Sequence, residues 1–151
     1  MVCLGNICRS PLAEGVLKET AKREGLDIYV DSAGTAAYHA GERPDRRSQE
    51  VARKHGIDIS NQRARQFERE DFALFDRIYV MDKSNYDDVV SLADTREDAA
   101  KVEMILNTVY PGKDLSVPDP YYGGNDGFEK VFQMLDNSCK KVVETILAEK
   151  Q

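Results

Sequence analysis

Short apolar runs alternate along this chain with longer segments of helical periodicity, and this alternation limits the fold more than any other feature. Three apolar runs are typical of strands: 28–31, 77–82 and 102–106. Apolar residues at helical spacing predict four helices: 10–23, 45–55, 84–92 and 127–147. Strands that alternate with helices indicate βα units and a parallel sheet covered on both faces. We therefore expect a single α/β domain over residues 1–151, with a Rossmann-like, four-stranded parallel sheet.

The first strand of this sheet is expected to be short. A parallel α/β sheet needs a strand before its first helix, yet only Met1 and Val2 precede Cys3. Val2 and Cys3 are typical of the last turn of a strand that is truncated at its N-terminus. Such a strand would lose ladder hydrogen bonds and apolar cover.

Composition excludes several classes of protein. The 151 residues contain 21 Lys and Arg against 27 Asp and Glu, a net charge of −6, so no basic surface for nucleic acid is expected. The chain has no run of 18 apolar residues and no secretory signal, which argues against a membrane span and for the cytoplasm. Three cysteines, an odd number, cannot form a closed disulfide framework.

The segment from Cys3 to Pro11 joins the first strand to the first helix and is suited to binding an oxyanion. The start of a helix offers unpaired N–H groups and a partial positive charge. Gly5 and Asn6 tolerate positive φ, so the loop can turn its amides inward. Arg9 can grip two oxygens with its planar fork. Cys3 lies at the carboxyl end of the strand, where open α/β sheets bind ligands, and a positive loop would favour its thiolate.

Four blocks of sequence carry a resemblance to a known family. The first is Val-Cys-Leu-Gly-Asn-Ile-Cys-Arg-Ser-Pro at 2–11, which contains Cys, five residues, Arg and Ser. The others are Asp-Ser-Ala-Gly-Thr at 31–35, Met-Asp-Lys-Ser-Asn at 81–85 and Asp-Pro-Tyr-Tyr-Gly at 119–123. In this order and at this length, the blocks strongly resemble the low molecular weight protein tyrosine phosphatases.

This resemblance implies a mechanism without metal or cofactor. Cys3 would attack phosphotyrosine and form a phosphocysteine intermediate, while Arg9 clamps the phosphate. Asp119 would act as the general acid and then as the general base, although Asp between two prolines is also typical of a plain turn. The phosphate-binding loop would contribute further substrate contacts: Leu4, Gly5, Asn6, Ile7, Cys8 and Ser10.

Several polar residues would support the loop in this family. Ser10 would either only cap the first helix or also donate to the Cys3 sulfur. Asn6 and Ser32 would hold the loop conformation. Asp82 and Asn85 would form a supporting hydrogen-bonded block, although Asp82 could simply cap the next helix. Many relatives carry His where this chain has Gln62.

The resemblance also bears on the substrate. Three aromatic side chains would wall the pocket and admit a long phenyl phosphate: Tyr38, Tyr121 and Tyr122. Ile7 favours an aryl phosphate, because relatives with Thr at this position resemble protein arginine phosphatases. The implied partner is a phosphotyrosine-containing protein, such as a tyrosine kinase, and inorganic phosphate or another oxyanion would inhibit.

The two cysteines other than Cys3 have different expected roles. Cys8 is either an inert filler or a redox partner that traps oxidised Cys3 as a disulfide. Cys139 lies on the apolar stripe of the last helix and is expected in the core. A thioredoxin-coupled arsenate reductase would need two relay cysteines beyond the loop, where only Cys139 is found. A silent phosphate-binding module would lack Cys3 or Asp119.

Overall fold

The structure is a computed structural model that describes residues 1–122 and 125–150, with the side chains of Tyr122 and Asn125 outside the described part. Its strands are β1 Val2–Cys3, β2 Ala33–Gly34, β3 Ile78–Val80 and β4 Val102–Met104. Its α-helices are α1 Arg9–Arg23, α2 Arg46–Lys54, α3 Asp71–Leu74, α4 Lys83–Val90, α5 Arg96–Ala100 and α6 Asn125–Glu149. Short 3₁₀ turns follow β4 and precede α6, at Ile105–Thr108 and Pro120–Tyr122.

The four strands form one parallel sheet in the order β2-β1-β3-β4. Val2 of β1 pairs with Ala33 on one side and with Val80 on the other. β3 pairs with β4 over its full length. The predicted four-stranded parallel sheet is confirmed, and β1 lies at its centre, so the loop after β1 begins in the middle of the carboxyl edge.

Successive residues of the strands point to opposite faces of the sheet, and each face is buried under its own apolar cluster. Cys3, Tyr79 and Met81 lie in the cluster formed with α1 and α6. Val2 and Val80 lie in the second cluster, which includes residues of α3 and α4. Helices therefore cover both faces, as the alternation of apolar runs and helical segments predicted.

The strand predicted at 28–31 is wrong, because β2 is Ala33–Gly34. The register explains the difference. Val2 pairs with Ala33, and the amino group of Met1 donates to the Asp31 carbonyl 3.0 Å away. Residues 28–30 lie before this register and have no partner along β1, so their β-branched and aromatic side chains alone do not produce a strand.

Other boundaries differ from the predictions for local reasons. The strand predicted at 77–82 ends at Val80, because Asp82 leaves the sheet to cap α4. The strand predicted at 102–106 ends at Met104 and continues as a 3₁₀ turn. α3 and α5 were not predicted, because helices of four and five residues are too short to show an apolar period.

The long C-terminal helix packs along α1, and its predicted apolar stripe is confirmed. Cys139 is fully buried and its thiol approaches the Ala13 carbonyl at 3.7 Å. α6 has 25 residues, and its charged residues lie outside the buried stripe. Within the described part of the chain, no helix combines the length and apolar character that a membrane span requires.

The close packing of α1 generates a prediction about stability. An alanine in place of a helical glycine ordinarily stabilises by about 1 kcal/mol. At Gly15, however, the new Cβ would lie 2.6 Å from Cγ2 of the buried Ile59. We expect Gly15→Ala to lower the free energy of unfolding by about 1–3 kcal/mol in urea titrations, because the core is overpacked.

Gly127 in the first turn of α6 provides the matched control. Among the residues that the structure describes, an added Cβ there would meet only Pro120, at 3.6 Å, which is an ordinary contact. Gly127→Ala should leave stability unchanged or slightly higher. Equal stability of the two variants would contradict the packing of α1 against Ile59.

Candidate active site

The loop between β1 and α1, residues 4–8, begins directly after Cys3, the last residue of β1. Asn6 has φ 56°, and the chain reverses there. Gly5 does not have positive φ, contrary to expectation; its small size instead leaves room for the His39 ring, which an added Cβ would approach to 3.1 Å. Glycine thus provides space next to His39, and asparagine provides the left-handed conformation.

This loop, which we call the phosphate loop, packs tightly on the segment that follows β2. The backbone N–H groups of Thr35 and Ala36 donate to the carbonyls of Cys3 and Leu4, both at 2.9 Å. A Cβ on Gly34 would lie 2.8 Å from the Leu4 carbonyl oxygen. Backbone atoms cannot yield as side chains do, so Gly34 allows the loop to approach the sheet.

Hydrogen bonds converge on the Cys3 sulfur. The Asn6 amide donates to it at 3.3 Å, and the Ser10 hydroxyl lies 3.0 Å away. The Asn6 side-chain amide donates to Ser10 at 2.8 Å and to Ser32 at 2.9 Å, so the predicted residues are brought together. Because Ser10 accepts from Asn6, its own proton can be donated to the sulfur.

Ser10 does not cap α1, contrary to one predicted role. The helix begins at Arg9, and Cys8 occupies the capping position without a side-chain hydrogen bond. Ser10 lies within the first turn, where its hydroxyl is directed at Cys3. The first-turn amides of α1 therefore have no capping side chain, which keeps them available for an anion.

Glu14 was missed by sequence reasoning, although it completes the hydrogen-bonded chain behind Cys3. Its carboxylate is almost fully buried, accepts from the Ser32 hydroxyl at 2.7 Å and pairs with Lys18 at 2.6 Å. The available signal was its spacing: Glu14 lies four residues after Ser10, on the same face of α1, and four before Lys18.

Arg9 is buried and held from behind by two acceptors. Its NH1 donates to the Asp82 carboxylate at 2.8 Å and to the Val117 carbonyl at 3.0 Å. Asp82 also caps α4 in a reciprocal arrangement with Asn85, so both of its predicted roles are compatible. These contacts fix the guanidinium beside the phosphate loop.

Asp119 lies opposite Arg9, with one carboxylate oxygen 3.7 Å from NH2 of Arg9. Its other oxygen accepts from the Tyr121 amide at 3.0 Å, which makes a short turn at the start of the 3₁₀ helix. About a third of the side chain is exposed, so the carboxyl group can reach a bound molecule and solvent.

A cleft of about 170 Å³ unites most of the predicted residues. It is lined by Cys3, Leu4, Gly5, Ile7, Cys8, Arg9, Tyr38, His39, Asp119 and Tyr121. The predicted contribution of Tyr122 falls outside the described side chains. A larger cavity of about 910 Å³ lies by residues 27–31 and the end of α6, and it contains none of the predicted site residues. The smaller cleft is therefore the candidate site, because most of the predicted site residues line it and not the larger cavity.

Cys8 lines the same cleft as a neutral thiol. Burial, followed by the charges of Asp45 and Asp119, raises the pKa of Cys8 to about 12. A thiol must lose its proton to attack, so these surroundings slow any reaction of Cys8 with oxidised Cys3. Its role as a redox partner stays a prediction.

Gln62, where relatives often have His, also contacts α1. Its side-chain amide donates to the Pro11 carbonyl at 3.0 Å, which ties residues 60–65 to the first turn of the helix. Its carbonyl oxygen is buried, and no described protein group bonds to it. Gln62 thus contacts the first turn of α1, directly after the phosphate loop.

The fold and the cleft together define the class of α/β proteins that hold a tetrahedral oxyanion beside a cysteine at the carboxyl edge of a parallel sheet. The sequence model described as low molecular weight phosphotyrosine protein phosphatase matches residues 1–151. A relative from Rattus norvegicus with that description is 43% identical over 146 residues, covering 95% of this chain and 91% of the relative. The low molecular weight protein-tyrosine-phosphatase YfkJ of Bacillus subtilis is 39% identical, and the match covers 99% of this chain and 96% of YfkJ.

Solved structures agree with these sequence matches. A protein tyrosine phosphatase from Entamoeba histolytica with Hepes in the active site has a TM-score of 0.92 at 35% identity, covering 99% of this chain and 96% of its own. Vibrio vulnificus Wzb in complex with benzylphosphonate has a TM-score of 0.85 at 28% identity, and the match covers 95% of this chain and 94% of Wzb. A Drosophila arginine phosphatase has a TM-score of 0.89 at 32% identity, and the match covers 96% of this chain and 94% of the phosphatase.

The chain therefore belongs to the low molecular weight phosphotyrosine protein phosphatase family, and it is a hydrolase. The family assignment from the four sequence blocks is confirmed.

The different surroundings of the cysteines generate a prediction about alkylation. With a pKa of about 12, only about one Cys8 thiol in ten thousand is ionised at pH 8, and burial also raises the pKa of Cys139. We expect iodoacetamide at pH 8 to modify Cys3 in the folded protein and to spare Cys8 and Cys139, as read by peptide mass mapping. Modification of Cys8 as fast as Cys3 would contradict this description of the cleft.

Proposed function

We propose that this protein hydrolyses phosphotyrosine in proteins through a phosphocysteine intermediate, with Cys3 as nucleophile, Arg9 as phosphate clamp and Asp119 as general acid and base. The proposal rests on one observation: the end of β1, the start of α1 and the loop before α6 bring these three side chains into a single cleft. The family supports the reaction class, and the contacts of each residue support the role proposed for it.

In the first step, the Cys3 sulfur attacks phosphorus in line with the ester oxygen. The S–P bond forms as the P–O bond to the phenol ring breaks, and protonated Asp119 gives its proton to the departing oxygen. The amides of the phosphate loop and Arg9 hold the other three oxygens, where the transition state carries its charge. Asp82 and Val117 keep Arg9 in place during this step.

In the second step, a water molecule attacks the phosphocysteine. Asp119, now a carboxylate, takes a proton from the water as the O–P bond forms and the P–S bond breaks. The Ser10 hydroxyl, 3.0 Å from the sulfur, supports the departing thiolate with a hydrogen bond. Inorganic phosphate leaves the site, so phosphate and similar oxyanions are expected to compete with substrate.

The walls of the cleft support an aromatic phosphate ester as substrate. Leu4, Ile7, Tyr38 and Tyr121 provide apolar and aromatic surface above the phosphate loop. A phenyl ester is long enough to place its phosphate on Cys3 while its ring contacts these walls, whereas serine is shorter. The benzylphosphonate bound to Wzb supports a benzyl-type ligand, and Ile7 favours phosphotyrosine over the phosphoarginine of the Drosophila relative.

The nucleophile is tested by Cys3→Ser. We expect turnover of p-nitrophenyl phosphate to be lost by at least about a thousandfold, because a hydroxyl at this position has no base to ionise it. Phosphate binding, measured by calorimetry, should be retained because the loop amides and Arg9 remain. Cys139→Ala serves as the control and should keep turnover. Substantial activity of Cys3→Ser would exclude the phosphocysteine route.

The general acid is tested by Asp119→Asn with two aryl esters. kcat/KM reports only the steps through formation of the phosphocysteine. For phenyl phosphate, whose leaving group needs a proton, we expect kcat/KM to fall by about a hundredfold or more. For p-nitrophenyl phosphate, whose leaving group departs as an anion, the loss should be small. Equal losses for both esters would remove the general-acid role.

A further inference from the structure

We propose that Asp45 and Arg47 form a positioning pair that holds the Asp119 loop over the phosphate loop. Asp45 caps α2, and Arg47 is the second residue of that helix. The Asp119 loop is defined here as residues 117–122. The proposal rests on the proposed role of Asp119 as general acid, and it assigns to α2 the task of setting the position of that acid.

The first turn of α2 is attached to the phosphate loop. The backbone N–H of Asp45 donates to the Ile7 carbonyl at 2.7 Å. The buried Ser48 hydroxyl, one turn along the helix, donates to the Cys8 carbonyl at 3.3 Å. α2 therefore has a defined position relative to Cys3, because these bonds join it to the loop that carries the phosphate contacts.

The Asp45 carboxylate in turn fixes the Arg47 side chain. One oxygen accepts from the Arg47 backbone amide at 2.8 Å and from its Nε at 3.2 Å, and the other accepts from NH2 at 3.1 Å. This two-pronged pairing sets the plane of the guanidinium. The Arg47 guanidinium is thus oriented by two hydrogen bonds to the Asp45 carboxylate.

Arg47 reaches across to the far end of the Asp119 loop. Its NH2 donates to the Tyr121 carbonyl at 3.1 Å. The guanidinium also lies 5.4 Å from the Tyr121 ring centre and 4.6 Å from that of Phe128 in α6. Both ring contacts are within the range of cation–π attraction. Arg47 therefore contacts the loop and the helix that follows it.

The contact at Tyr121 bears directly on the acid. The Tyr121 amide donates to Asp119 at 3.0 Å, so the position of this residue sets the orientation of the carboxyl group. The start of the loop is held separately, because Val117 donates to the Met81 carbonyl and accepts from Arg9. Arg47 contacts the other end of the loop, at Tyr121. A displacement of about 1 Å at a reacting group can cost about a hundredfold in rate.

The test compares Arg47→Met with Arg46→Met. Arg46 is adjacent in α2, 91% exposed and paired with Glu50 on the surface, so its variant loses the same charge away from the cleft. For Arg47→Met we expect kcat/KM to fall about tenfold for phenyl phosphate and less than about twofold for p-nitrophenyl phosphate. Arg46→Met should change neither value. Equal losses for both esters in Arg47→Met would indicate a general structural role and overturn the proposal.

A second comparison shows whether Arg47 acts through Asp119. In the Asp119→Asn background, Arg47→Met should cost nothing further, because the group that it positions no longer donates a proton. Full additivity of the two losses would overturn the proposal while leaving the acid role of Asp119 intact. If Asp119→Asn alone lowers both esters equally, the general-acid role fails, and the positioning role fails with it.

Arg47→Lys keeps the test decisive if Arg47→Met does not fold. Lysine retains the positive charge and the attraction to the aromatic rings but lacks the planar fork that bonds Asp45 and Tyr121 together. We expect the same preferential loss for phenyl phosphate, by about threefold, with thermal unfolding close to wild type. Wild-type values for both esters in Arg47→Lys would show that the fork is dispensable and would overturn the proposal.

Discussion

The side chain of Asn6 is the constraint on which the rest of the site depends. Its backbone adopts φ 56°, a conformation that costs energy in a residue other than glycine, and its side chain fixes that conformation with three hydrogen bonds. The side-chain amide donates to Ser10 and Ser32, and its oxygen accepts from the Arg65 backbone N–H at 3.1 Å. This lock places the Asn6 backbone amide and the Ser10 hydroxyl within hydrogen-bonding distance of the Cys3 sulfur. Three separate segments of the chain therefore meet at one amide group.

α1 carries Arg9, the proposed phosphate clamp, and one of the two residues that bond the sulfur of Cys3, the proposed nucleophile. Ser10 contacts the sulfur, Arg9 lies in the cleft, and Glu14 supports the Asn6 lock through Ser32. Charges at such depth are costly unless they are paired. Arg9 meets Asp82, and Glu14 meets Lys18, so both buried charges have partners. Their pairing keeps the helix start rigid without a disulfide.

Much of this arrangement could be predicted, because it is encoded in short segments. The four sequence blocks together identified the family, and apolar periodicity located the long helices. The strand at 28–31 was wrong, since strand formation requires a partner and the partner register begins at Asp31. The role of Ser10 was only half correct, because a serine before a proline has the same local pattern whether it caps a helix or faces a sulfur.

The sequence by itself determined the class of fold and the family, and it predicted a site at Cys3, Arg9 and Asp119, because contiguous motifs and helical periods are local properties. Only the tertiary structure decided how these groups meet: Arg9 bonds residues 73 and 108 positions away. It also brought in Glu14 and Arg47, through their hydrogen bonds to Ser32 and to the Tyr121 carbonyl. The physical reason is that hydrogen bonds and ion pairs between distant segments depend on the packing of helices on the sheet. No spacing within a single segment records that packing.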